Sequence, residues 1–157
     1  GPFAIQIAKA SGAEVTAVDL AAKHDLMRRA GADHLVDHTT TDCTRLPDRF
    51  DLVLDVAANR SPLAYRRVLA PGGRFVLVAR NLAGYMRAAA VGGSRIANLR
   101  WKPSDPADLT RLAELIAGGD VTPIVDSVCT LDGVPDALRR LHTGAARGKI
   151  VVTPHTT

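Results

Sequence analysis

Gly1 and Pro2 open an amphipathic run through Lys9 that reads as a helix, and Asp19 closes an apolar run, Glu14–Asp19, a short distance later. Pro2 suits the first helical position, where its missing N–H costs nothing. A glycine at a helix N-terminus and an acidic residue roughly 20 positions on, at the end of a strand, match a dinucleotide site. In that reading Gly1 faces the pyrophosphate, and the helix N-terminus favours its negative charge. The Asp19 carboxylate would accept hydrogen bonds from both adenosine ribose hydroxyls and repel a 2′-phosphate, which favours NAD. Lys23 and His24 would instead welcome a 2′-phosphate, so NADP stays open. Asp19 also suits the start of a turn, a common place for aspartate.

A second group of candidates lies after the later strands. Ligands of open α/β sheets sit outside the carboxyl ends of the strands. That placement gathers His38-Thr39, Val56-Ala57-Ala58-Asn59 and Val78-Ala79-Arg80. The small side chains of Ala57 and Ala58 would let a flat ring approach the backbone, although alanines also follow buried strands for packing alone. Asp51 and Asp55 share a strand face by the two-residue period, but Asp51 sits at the start of the strand, away from that crevice. No carboxylate pair, nucleophile–base pair or metal-ligand spacing emerges from the five histidines and two cysteines. Catalytic residues therefore stay unassigned and no metal site is expected.

The elements that must position these residues alternate between short apolar runs and helical patterns, the signature of parallel βαβ units. Strands are expected at Glu14–Asp19, His34–Asp37, Phe50–Val56, Arg74–Val78, Ile96–Trp101, Ile124–Val128 and Lys149–Val152. Helices are expected at Pro2–Lys9, Ala21–Ala30 (closed by Gly31), from Ser61 or Asn59 through Val68, after Ser104, and after Asp132. A helix plus loop is expected over Asn81–Gly93, and Pro71-Gly72-Gly73 reads as a sharp turn. Phe50–Val56 carries an apolar run that suits burial on both faces. The fold class is α/β: a Rossmann-like, doubly wound, mainly parallel sheet.

Bulk properties bound the partners. A chain of 157 residues fits one domain, and its 46% hydrophobic and 23% charged residues are those of an ordinary globular protein. The net charge of +4 comes mostly from scattered arginines, and aromatics make up only 4%, so no nucleic-acid partner is expected. No apolar stretch approaches the ~18 residues a membrane span needs, and no signal peptide is visible. With Cys43 and Cys129 isolated from each other, the expectation is a reducing, cytoplasmic setting without membrane partners.

Several segments, in order, resemble the medium-chain dehydrogenase/reductase superfamily, in its zinc-type alcohol dehydrogenase and quinone oxidoreductase branch. They are Ala8–Thr16, Gly31–Asp37, Phe50–Val56, Leu69–Val76, Leu138–Leu141 and Ala146–Val152. The resemblance implies the NAD(P)-binding portion of an oxidoreductase that transfers hydride between nicotinamide and an alcohol, carbonyl, quinone or enone. It places Gly1 at the pyrophosphate, Asp19 at the ribose, and Asn59, Val78 and Ala79 beside the nicotinamide. Against that family the expected first strand and GroES-like catalytic domain are lacking, so the chain alone is expected to be inactive and to need a missing N-terminal domain or a homo-oligomer. Two alternatives stay open: a class I methyltransferase-like domain, and a non-catalytic interaction or oligomerisation module.

Overall fold

The structure, a computed structural model, describes residues 1–57, 60–78, 96–99 (backbone only) and 105–154. They form two compact units, Gly1–Asp37 with Pro106–Thr157, and His38–Asp105. Every strand pairing among the described residues is parallel.

In the first unit, α1 (Pro2–Ala10) begins with Gly1 as its cap and Pro2 at its first position, and it buries Ile5. β1 (Thr16–Asp19) buries Ala17 and leaves Val18 exposed, the alternation of a half-covered strand. The helix expected over Ala21–Ala30 divides into a 3-10 turn, Ala21–Lys23, and α2 (His24–Arg29), whose Leu26 and Met27 are buried. Gly31, at φ +98°, ends it in the left-handed region that glycine adopts without a Cβ clash. β2 (His34–Asp37) then pairs with β1 from Thr16↔His34 to Asp19↔Asp37. Ile5, Ala17, Met27, Ala30 and Ala32 form the core, against which Val15, Leu35 and Ile124 pack.

Polar contacts fix this arrangement. Lys9 pairs with Asp33 at 2.8 Å, and Asp33 also accepts the Val15 N–H at 2.7 Å, so one carboxylate ties α1 to both strands. Gln6 exchanges two hydrogen bonds with the Thr122 backbone, donating at 3.1 Å and accepting at 2.6 Å. The C-terminal part of the unit holds α3 (Pro106–Ala117), β6 (Val125–Thr130), α4 (Val134–His142) and β7 (Lys149–Thr153), with β6 parallel to β7. Asp132 lies in a 3-10 turn, Leu131–Gly133, and Gly133 caps α4 in its place. Ser104 lies outside the described residues.

The second unit is a three-stranded sheet in the order β3 (Phe50–Asp55), β4 (Leu69–Val78), β5 (Ile96–Leu99). Phe75 is fully buried and stacks on Tyr65 with centroids 4.9 Å apart. Burial of β3 on both faces is not found. Val53 and Asp55 share the covered face with their register partners Phe75 and Leu77, while Leu52 and Leu54 on the opposite face are 58% and 40% exposed.

Two local expectations change as well. The segment after Ser61 is a 3-10 helix, Pro62–Arg67, with no side-chain cap; its bonds close three residues back, as in Ala64 N–H to Ser61 O. Pro71-Gly72-Gly73 forms a bulge inside β4, where pairing jumps from Phe50↔Leu69 to Leu52↔Arg74. A Cβ on Gly73 would lie 2.7 Å from the Phe50 carbonyl oxygen, so only glycine fits there. The stretch Asn81–Gly93 lies outside the described residues.

Candidate functional site

In the first unit, the end of β1 and the start of α1 come together around Asp19. Its Oδ1 accepts the Leu20 N–H at 2.8 Å and lies 3.9 Å from Lys23 Nζ, while the carboxylate also interacts electrostatically with the Gly1 amino group. Both close contacts fall on Oδ1, which leaves Oδ2 for donors from a ligand. A Cβ built on Gly1 would meet nothing within 4 Å, and the first turn of α1 carries no acidic residue. The first turn of α1 therefore carries no like charge against a phosphate group. These residues fit a dinucleotide: hydroxyl donors at Asp19, an anion at the start of α1.

Lys23 ends the 3-10 turn directly after Asp19, so the ammonium sits four residues from the carboxylate it neutralises. His24 Nε2 is buried with no hydrogen-bond partner among the described residues. Asp37 ends β2 opposite Asp19 in the register, and His38 follows it, exposed.

In the second unit, Ala57 and Val78 sit at the carboxyl ends of the adjacent parallel strands β3 and β4. Ala57 is exposed, and its N–H donates to Asp55 Oδ1 at 3.0 Å, so Asp55 shapes the turn that presents it. Asp55 itself is 7% exposed. It lies near the Tyr65 hydroxyl, which also hydrogen-bonds Cys43. Burial first, then the charges of Asp55 and Cys43, holds that phenol well above the ordinary tyrosine range. Asn59 and Ala79 lie outside the described residues.

The sequence reading missed one cluster. Asp42, in what reads as a plain polar connection, accepts from Thr44 N at 3.0 Å, from Thr44 Oγ1 at 2.8 Å and from Arg60 Nη1 at 2.9 Å, with Arg45 Nε at 3.5 Å. Eighteen residues separate Asp42 from Arg60, so no local spacing signals the pair.

Parallel strands joined through helical segments define an α/β fold. Residues 30–152 match the profile of the zinc-binding dehydrogenase family, and the chain belongs to that family, as a C-terminal region of the medium-chain superfamily it resembles. It is 32% identical to the mitochondrial NAD(P)H oxidoreductase RTN4IP1 of Danio rerio, over 98% of this chain and 46% of that protein. It is 30% identical to the chloroplastic NADPH-dependent alkenal/one oxidoreductase of Arabidopsis thaliana, over 98% of this chain and 38% of that protein. The chain thus spans less than half the length of either relative. The quinone oxidoreductase of Coxiella burnetii shares the fold, with a TM-score of 0.83 at 23% identity over 98% of this chain and 49% of that one. Among the described residues no three His, Cys, Asp or Glu side chains gather where they could hold a metal ion, and no helix there is long and apolar enough to cross a membrane.

Proposed function

We propose that this chain is the dinucleotide-binding portion, Rossmann-like and doubly wound, of an NAD(P)-dependent oxidoreductase acting on a carbonyl, quinone or enone. The observation that carries the reading is the half-buried Asp19 carboxylate. It stands at the carboxyl end of β1 near the start of α1, with its near contacts confined to Oδ1. The names of the relatives above, an NAD(P)H oxidoreductase and an alkenal/one oxidoreductase, support this reaction class over a methyltransferase.

When bound, the nicotinamide supplies or accepts the hydride. Asp19 accepts from the ribose hydroxyls, which orients the adenosine half. The start of α1 offers the Phe3 N–H and the positive end of the helix dipole to the pyrophosphate, the Ala4 and Ile5 N–H groups being held by Gly1 O. Ala57 and Val78, at two strand ends, provide small and apolar surface for a flat ring. Asp19 also makes NAD the better cofactor, because a 2′-phosphate would place negative charge against the carboxylate. Lys23 offsets that repulsion in part, so NADP binds more weakly and is not rejected.

Calorimetric titration with NADH, NADPH and S-adenosylmethionine tests the proposal. Saturable NADH binding, tighter than NADPH and with no response to the methyl donor, is the expected result. Preference for S-adenosylmethionine would overturn it.

A further inference from the structure

The second unit carries a cationic cleft that the dinucleotide reading does not use. It has a volume of about 460 Å³ and lies between the 3-10 turn Cys43–Arg45 and the 3-10 helix Pro62–Arg67. Arg45, Arg60 and Arg67 line it, together with Asp42, Thr44 and Ser61, and Leu63 and Ala64 give it an apolar wall.

Its charges are organised around Asp42. Hydrogen bonds from Thr44, then the nearby Arg60 and Arg45, hold this carboxyl below the usual carboxylate range, so it stays ionised. It anchors Arg60 through one nitrogen and Arg45 through Nε, which leaves further N–H groups of both guanidiniums available. Arg67 makes no ion pair among the described residues, and the Ser61 hydroxyl makes no capping bond. Three guanidiniums and one carboxylate leave two positive charges in excess inside one concave site. A phosphate monoester carries close to two negative charges at neutral pH and three acceptor oxygens. Guanidinium forks match those oxygens in geometry as well as charge.

We propose that this cleft binds a phosphate monoester, with Arg67 and the free N–H groups of Arg45 and Arg60 on the phosphate and the ester's organic part against Leu63 and Ala64. The proposal rests on residues of the second unit alone.

Phenyl phosphate, with inorganic phosphate alongside, is the probe, titrated by calorimetry at slightly alkaline pH. Phenyl phosphate should bind saturably and more tightly than inorganic phosphate. Arg67→Gln should weaken it by roughly tenfold, the worth of a charged hydrogen bond. Arg111→Gln, an exposed arginine on α3, should leave it unchanged. Arg67 is exposed, so the variant should keep the wild-type circular dichroism; Arg45→Gln is a second variant expected to weaken binding in the same direction. Absence of saturable binding at millimolar phenyl phosphate would overturn the proposal. So would equal affinity in Arg67→Gln, Arg45→Gln and Arg111→Gln, or inorganic phosphate binding as tightly as the ester.

Discussion

Asp19 and Asp55 are the same residue type at the same kind of place, the last position of a strand in a parallel pair, and their surroundings give them opposite roles. Asp19 is half-buried, with one oxygen on the Leu20 N–H and near Lys23, and the Gly1 amino group in its field. Asp55 is almost fully covered; it holds the Ala57 N–H and sits by the Tyr65 phenol, under a sheet face that also buries Phe75 and Leu77. A carboxylate open on one side can spend its free lone pairs on a ligand. A covered one serves the turn and the core that cover it. Strand-end position nominates a residue for function, and burial then decides.

The largest effect expected from this contrast falls on Asp55. Asp55→Ala removes the acceptor of the Ala57 N–H in a covered site and should lower unfolding free energy by about 1–3 kcal/mol. Asp19→Ala, losing an exposed pairing, should stay within about 0.5 kcal/mol of wild type. Urea denaturation of both variants measures the difference, and equal losses would erase the distinction between the two aspartates.

A third aspartate sharpens it. Asp33 is exposed, yet the Lys9 ammonium and then the Val15 N–H hold its carboxyl below the usual carboxylate range. Because the folded value is depressed, the folded state keeps Asp33 ionised where the unfolded chain takes up a proton. Its contribution is complete above the unfolded aspartate value, about 4, and is lost as the pH falls through the lower folded value. Asp33→Asn should therefore flatten the acid side of the stability curve and leave its neutral-to-alkaline shape unchanged. Thermal unfolding followed from neutral to acidic pH gives the comparison; an unchanged acid slope would remove Asp33 from the account.

Much of the fold was legible because local chemistry and tertiary packing agree in those segments. Thr16–Asp19 and His34–Asp37 form parallel strands where the apolar runs place them, and Gly31 stops the helix between them at a positive φ. Ile96–Leu99 is a strand within the expected Ile96–Trp101 and pairs with β4. The misses lie where packing overrides pattern. The apolar residues of Phe50–Val56 imply two covered faces, yet Leu52 and Leu54 stay exposed on one while Asp55 is buried on the other, beside its register partner Leu77. The helix expected through Val68 is of the 3-10 type, over Pro62–Arg67. The proximity of Gly1 and Asp19 could be read from their spacing, because a helix start and a strand end are joined by a short connection. The arginine cleft could not be, since Asp42 and Arg60 meet only after β3 has folded between them.

The most direct test of the central claim is cofactor selectivity in Asp19→Ser. If the carboxylate holds the adenosine ribose, the variant should lose NADH affinity by roughly tenfold, gain NADPH affinity and keep wild-type stability. Unchanged affinities for both nucleotides, in a protein that binds them, would show that Asp19 serves only the turn it begins.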